Sequence, residues 1–367
     1  MTSISEIVNR NHFSKADIMR LLSINAQTVQ DALFQQAEAV KEKTVGKKVF
    51  LRGLIEFSNL CQKNCFYCGI RSGNANVTRY SMTDKEILQQ CEEAGKHHFT
   101  GIVLQSGEQR NRHFTDRLTR LITNIKKTIQ PELRITLSVG EQSLDTYRQW
   151  FEAGAERYLL RIETSSEELY RKIHPIDALH SFKNRLQCLE NIQKIGYQTG
   201  TGVMIGLPFQ TIENLADDLL FIKQMNIDMV GMGPYLEHAE TPFFKYKETL
   251  LPLKERFNLS LRMLAVLRLM MPDINMVATT ALQAIQTNGR EMGLKAGANV
   301  LMPNITPSKY RSSYLLYDNK PSVNEDAEET IQTLTENIKQ MGETIVFDNY
   351  GDSIHFTKRK IESQQPI

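Results

Sequence analysis

The chain has 367 residues, with 44 Lys and Arg against 42 Asp and Glu, a formal net charge of +2. Hydrophobic residues make up 41% and charged residues 23%, globular proportions that exclude a disordered tail. The balanced charge lacks the basic footprint of a nucleic-acid binder. The most apolar helical stretch, residues 261–271, is too short to span a bilayer and carries Arg262 and Arg268. The N-terminus, MTSISEIVNRN, has acid and amide residues where a signal peptide needs an apolar core. A cytoplasmic protein with neither membrane nor nucleic-acid partners is expected.

Residues 1–45 read as a helical segment, with N-caps expected at Ser14 and Asn25. Strand-like runs then recur at 49–58, 101–106, 134–140, 157–163, 199–207, 228–234, 274–280 and 299–304. Between them lie helical periodicities at 84–94, 116–128, 144–153, 181–195, 212–225, 259–271 and 289–296, with caps at Thr83 and Thr211. The sequence Thr211–Asn214 lacks the glutamate of a full capping box. Eight strands alternating with helices predict an α/β fold, a (β/α)8 TIM-type barrel over 46–318, although alternation also suits an open parallel sheet. No Gly-x-Gly-x-x-Gly follows the first strand, so the dinucleotide fingerprint is missing. Residues 319–367 turn acidic and polar and read as a short C-terminal extension packed on the barrel, with one helix and a hairpin or loop.

Five cysteines are too few for a disulfide scaffold. Three of them, Cys61, Cys65 and Cys68, fall in CQKNCFYC directly after the first predicted strand. That puts three thiols on the first βα-loop, at the face where barrel enzymes carry their chemistry. Zinc would want a fourth ligand, and the nearest, Cys91, His97 and His98, come a helix later. An iron–sulfur cube on three thiolates leaves one iron open, while three packing cysteines would be the bland alternative. Cys91 and Cys188 sit in helical patterns and read as core residues.

Strand alternation sends Arg157, Arg161 and Glu163 into the lumen, with Leu160 and Ile162 towards the helices. A satisfied core ion pair and an anion-binding wall both fit this face. Thr136 and Ser138 share a face of the third strand, and Thr279 and Thr280 end the seventh, where hydroxyls can bind an anion.

Cys-x3-Cys-x-aromatic-Cys after the first strand of a βα-repeat, with Tyr67 as the aromatic and Gly69 next, resembles the signature of radical S-adenosylmethionine (SAM) enzymes. LQSGE (104–108) resembles their Gly-Gly-Glu element, with Ser106 for the first glycine, and MIGLP (204–208) resembles the stretch that lies against adenine. Together with YLLRIET, GLPFQT, ATTA and GANVLMPNITPSKYR, the likeness is strongest to the HydE maturases of FeFe-hydrogenase. It implies a 4Fe-4S cluster on Cys61, Cys65 and Cys68 whose fourth iron binds SAM. One electron then gives methionine and a 5′-deoxyadenosyl radical. The resemblance also implies SAM contacts from Tyr67, Gln105, Ser106, Gly107, Glu108, Thr136, Glu163, Arg185 and Met204. It implies a deeper anion or substrate pocket from Arg157, Arg161, Thr279 and Thr280, with Tyr314 and Leu316 closing the cavity from below the final strand. Many relatives carry His where this chain has Ile162. Three further cysteines that support an accessory cluster in some maturases are missing after residue 320. The implied function is assembly of the di-iron subcluster of FeFe-hydrogenase. An organometallic iron substrate with CO, cyanide and a cysteine-derived ligand would come from a partner maturase, and electrons from a reductase or ferredoxin-type donor. A methylornithine-synthase-like mutase is the alternative. Biotin synthase fits less well, because its second cluster needs cysteines this chain lacks.

Overall fold

The computed structural model describes residues 4–8, 10, 12–129, 132–321, 327–347 and 349–362. Among the described residues twelve strands follow one another: β1 (Lys48–Leu51), β2 (Gly53–Ser58), β3 (Gly101–Ser106), β4 (Arg134–Ser138), β5 (Arg157–Leu159), β6 (Gln198–Thr201), β7 (Met204–Ile205), β8 (Met229–Val230), β9 (Gly233–Pro234), β10 (Asn275–Met276), β11 (Val300–Leu301) and β12 (Thr344–Val346). The main sheet runs β10-β8-β6-β5-β4-β3-β2, parallel throughout.

Closure comes from β11. It pairs with β1 at Phe50↔Val300 and Leu51↔Leu301, and bridges to the end of β10 at Val277↔Val300. A further parallel bridge, Leu54↔Asn304, ties it to β2. Because β1 and β2 are one run interrupted at Arg52, and β7 and β9 prolong β6 and β8, eight parallel strands form a closed ring. The open-sheet reading is thereby set aside. Helices surround the ring, and a single large apolar core fills the layer between.

Local chemistry sets the helix starts. Ser14 and Asp17 make a capping box for Lys15–Leu22. The next helix, Gln27–Thr44, begins at Ala26 with no side-chain cap, so Asn25 does not play the part expected of it. Thr211 does make a capping box: the Asn214 amide oxygen accepts the Thr211 N–H at 3.0 Å, doing the work of the missing glutamate. The helix expected at 116–128 begins earlier, at Arg112, because the Asn111 side chain accepts the Phe114 N–H, and it ends in a π-turn at Ile125–Ile129. Among the described residues no helix is long and apolar enough to cross a membrane.

The described residues of the tail hold two helices, Ala327–Gln340 and Ile354–Glu362, and a strand, against the one helix with a hairpin or loop expected. Residues 322–326, 348 and 363–367 of it lie outside the described residues. β12 adds to β1 beside the barrel floor (Lys48↔Thr344), and residues 349–353 cover that floor. There the Asp352 carboxylate accepts from Arg157 at 2.6 Å and from Gln198 at 2.9 Å, and the Gly351 carbonyl accepts from Asn275 at 2.8 Å. These partners stand at the first residues of β5, β6 and β10, the N-terminal end of the barrel, leaving the opposite end open for a site.

Candidate active site

β2 delivers the chain to the cysteine loop, which is fastened on every side. The Gln62 N–H donates to the Glu108 carbonyl at 2.8 Å, and the Glu108 N–H to the Cys61 sulfur at 3.3 Å. The Phe66 N–H donates to the Ile173 carbonyl, and the Gly69 N–H to that of Leu316 at 3.0 Å. Two glycines permit this closeness. A Cβ at Gly107 would meet the Leu60 carbonyl oxygen at 2.4 Å and Cys61 Cβ at 2.7 Å. At Gly69 it would meet the Leu315 carbonyl oxygen at 2.1 Å.

Burial pushes all three thiols up, Cys65 to about 12, with its neighbour Cys61 adding repulsion. Protein surroundings alone therefore hold the group protonated; a cationic core is what would ionise it. Three thiols with no fourth protein donor among the described residues match a cube with one open iron. Among the described residues no three His, Cys, Asp or Glu side chains close on a single metal ion, so the zinc reading gains nothing.

The loop faces a cavity of about 350 Å³ at the C-terminal end of the strands. Cys61, Cys65, Tyr67, Cys68, Gln105, Ser106, Gly107, Glu108, Glu163, Arg185 and Met204 all line it, as do Arg161, Thr279, Thr280, Tyr314 and Leu316. Thr136 and Arg157 do not. Both lie in the layer beneath, paired in register across β4 and β5, and Arg157 Nη2 donates to Asp352 and the Tyr350 carbonyl, while Nε and Nη1 are buried without a hydrogen-bond partner among the described residues. Alternation placed Arg157 on the inner face correctly but says nothing of height along the strand. The expectation that Arg157 belongs to the substrate pocket is corrected on that ground. Tyr314 and Leu316 line the cavity beside the cysteine loop: the Leu316 carbonyl accepts the Gly69 N–H, and the Gln105 amide lies 3.3 Å from the Tyr314 hydroxyl.

Charge in the site is organised around a residue the motifs did not point to. Glu141, fully buried just beyond β4, accepts from Lys63 at 2.9 Å and Arg185 at 2.6 Å, and also pairs with Arg110. Burial pushes its carboxyl up, but Arg185 and Lys63 outweigh that and hold it at about 2. The Glu141 N–H in turn donates to Glu108 at 2.9 Å, and Arg110 clamps Glu108 at 2.8 Å. Since Lys63 lies between Cys61 and Cys65, this network fixes the cysteine loop and the LQSGE turn to each other. A lysine inside the cysteine spacing was the signal available in the sequence; Glu141, in a loop without periodicity, gave none. Glu56 and Lys320, paired on the cavity wall at 2.5 Å, were missed as well.

Arg161 and Glu163 form a 3.0 Å ion pair on the cavity lining. Glu163 holds a left-handed φ of +68°, a strain of order 1–3 kcal/mol for a residue other than glycine. Its neighbours hold it there: the Glu163 N–H donates to the Gly202 carbonyl, and buried Asp218 accepts the Ser165 hydroxyl at 2.6 Å and its N–H at 2.5 Å. Burial raises the Asp218 carboxyl to about 7. The Thr279 hydroxyl is buried without a hydrogen-bond partner among the described residues. Ile162, Cys91 and Cys188 are buried in the apolar core. A larger cleft of about 550 Å³ lies outside the barrel between Leu22, Phe209 and Leu251, but its lining carries only Glu255 and Arg262 as charged groups and no cysteine.

A fold of this shape and a cysteine loop of this spacing define a class. Residues 55–222 match the model of the radical SAM superfamily. The chain is 44% identical to the [FeFe] hydrogenase maturase subunit HydE of Thermotoga maritima, over 92% of this chain and 94% of that one. It is 30% identical to 3-methylornithine synthase of Methanosarcina acetivorans, over 83% and 82%. Among solved structures, methylornithine synthase superposes with a TM-score of 0.78 at 25% identity, over 94% of this chain and 97% of that one. The maturase HydG of Carboxydothermus hydrogenoformans superposes at 0.79 with 19% identity, over 97% and 81%, a likeness of fold. The chain belongs to the radical SAM superfamily and, within it, to the family of the HydE maturases. It is accordingly an enzyme that uses a 4Fe-4S cluster and SAM.

Proposed function

We propose that this enzyme acts in assembly of the di-iron subcluster of FeFe-hydrogenase. The observation that carries the reading is 44% identity to a HydE maturase along nearly the whole of both chains. In this reading Cys61, Cys65 and Cys68 hold the cluster and leave its fourth iron to the amino and carboxylate groups of SAM. When bound, the cluster supplies the electron that splits SAM into methionine and a 5′-deoxyadenosyl radical. The protein's own part is to bind, orient and exclude water. Ser106, Gly107 and Glu108 receive the SAM amino group, and Arg185 and Gln105 lie beside it. Glu163 turns towards the nucleoside and Met204 towards its base, with Tyr67 alongside; Thr136 supports this layer from beneath.

On the same lining, Arg161, paired with Glu163, and Thr279 and Thr280 offer a cation and hydroxyls to an anionic iron-containing substrate, beside Tyr314 and Leu316. Such a substrate, with CO, cyanide and a cysteine-derived ligand, would be passed on in the cytoplasm by another maturase. A reductase or ferredoxin-type protein would supply the electron. Complementation tests the reading. Expressed in a host lacking its own HydE, the wild-type chain restores FeFe-hydrogenase activity and Cys65→Ala does not. Conversion of an amino acid without rescue would favour the methylornithine-synthase reading, which the 0.78 superposition supports.

A further inference from the structure

We propose that Arg79 is a positioning residue that readies the three thiols for a cluster by clamping both ends of the cysteine loop to one guanidinium. This rests on the reading that the cysteine triplet holds a cluster. Arg79 has no place in the cysteine spacing. It lies in VTRYSM (77–82), where the chain returns from the loop and runs antiparallel beside the end of β2, bridged at Ser58↔Ser81. The Met82 N–H donates to the Phe57 carbonyl at 2.8 Å, and the Ser58 hydroxyl to that of Tyr80 at 3.0 Å. This return sets Arg79 at the neck of the loop, against the residues through which the chain leaves β2 for Cys61.

Both terminal nitrogens of the guanidinium are fully used. Nη1 donates to the Asn59 carbonyl at 2.8 Å and the Ile70 carbonyl at 2.7 Å. Nη2 donates to the carbonyls of Arg71 at 2.6 Å and Asn74 at 3.0 Å. Each of these nitrogens carries two hydrogens, so every one of them meets a main-chain oxygen. Asn59 lies two residues before Cys61 and Ile70 two after Cys68, so Nη1 alone spans the triplet. Two asparagines complete the clasp. Fully buried Asn59 donates to the carbonyls of Thr78 at 2.8 Å and Ser313 at 2.6 Å, and its side-chain oxygen accepts the Tyr80 N–H at 2.8 Å. It thereby grips the residues on either side of Arg79. Asn74, also buried, donates to the Gly69 carbonyl at 2.7 Å.

A cube on three thiolates needs all three sulfurs at one place, and a loop that must be ordered as it binds loses affinity to that ordering. Fixing both ends beforehand leaves only the short spans between the cysteines to adjust. The fork matters as well as the charge. A lysine ammonium is a single nitrogen with three N–H groups, and it cannot serve two pairs of carbonyls from the two arms of a planar group. No periodicity or ligand spacing marks residue 79, which is why the motif does not reveal it.

The test is the iron content of the full chain after anaerobic reconstitution, together with binding of phenylarsine oxide to the apoprotein, a probe that needs two thiols close together. In Arg79→Ala iron per chain falls to roughly half or less, and affinity for phenylarsine oxide falls about tenfold, the worth of one lost charged hydrogen bond. Far-UV circular dichroism stays that of wild type. Millimolar guanidinium, far below denaturing concentrations, takes the place of the missing fork and restores both; equimolar methylammonium does not. Arg79→Lys, which keeps the charge, loads no more iron than Arg79→Ala. Full iron loading in either variant, unchanged phenylarsine oxide binding in Arg79→Ala, no rescue by guanidinium, or equal rescue by methylammonium would each overturn the proposal. Should Arg79→Ala fail to fold, Arg79→Lys decides by itself: lowered iron with native circular dichroism supports the clamp, and wild-type iron overturns it. A wild-type protein that forms no cluster overturns the parent reading instead.

Discussion

Glu141→Gln offers the sharpest probe of how the cysteine loop is held. The substitution keeps shape but leaves Lys63, Arg185 and Arg110 around a neutral amide. Glu141 ionises at about 2 rather than 4.5. At 1.36 kcal/mol per pH unit that difference is worth ~3 kcal/mol of folding free energy at neutral pH. Breaking one side of a buried pair costs about 3–5 kcal/mol, an agreement from independent grounds. With an unfolding entropy of about 2.1 cal/mol/K per residue, ~3 kcal/mol corresponds to a fall in Tm of only ~4 °C in a chain of this length. Anaerobic denaturant titration of the apoprotein is therefore the better assay. The sign with pH is fixed by the lowered value: the stabilisation is full above about 4.5 and disappears as pH falls towards 2. The gap between wild type and variant should close over that interval. Lys63→Met in the Glu141→Gln background should recover part of the loss by removing the stranded cation. A loss below 1 kcal/mol at pH 7.5, or a gap that widens in acid, would refute the argument.

Three other outcomes follow from the same structure. Gly107→Ala, whose Cβ has no room against Leu60 and Cys61, should halve iron bound per chain or worse while circular dichroism stays that of wild type; full iron loading would contradict the close approach. Asp218 has a raised carboxyl, so its contribution is present below about 3.8 and is lost as pH rises through about 7, worth ~4 kcal/mol at most. Asp218→Asn should therefore gain on wild type between pH 4 and 8 in denaturant midpoints, and a constant difference would show that Asp218 does not titrate there. Asp352→Asn strands the fully buried Arg157 and should cost ~2 kcal/mol, less than a wholly buried pair because Asp352 is partly exposed. Amide exchange at residues 344–346 should quicken, yet SAM affinity should hold within twofold, because the floor lies away from the mouth.

Much of this molecule is legible from its residues alone. Eight apolar runs separated by helical periods give a parallel sheet, closed or open, and Cys-x3-Cys-x2-Cys at the end of the first marks where its chemistry lies. What periodicity cannot give is depth. It assigns Arg157, Arg161 and Glu163 to one face, but only the paired ends of β5 and the tail show that Arg157 belongs to the floor and Arg161 to the cavity. Nor does it foresee contacts between loops far apart in sequence. Glu141 acquires its role from Lys63 and Arg185, and Glu56 from Lys320, each pair joined only when the barrel closes. Asn214 doing the work of a capping glutamate shows the same at short range, where an amide oxygen of equal reach serves as well.

The account depends most on a cluster with one iron left open for SAM. Protein reconstituted with iron and sulfide without oxygen should, once reduced, give the EPR signal of a single 4Fe-4S cluster that changes on adding SAM and, under turnover, yield 5′-deoxyadenosine. Loss of both in Cys61→Ala, Cys65→Ala and Cys68→Ala, with Cys91→Ala and Cys188→Ala unaffected, is the predicted result. A cluster signal indifferent to SAM, or one that survives loss of the triplet, would contradict it.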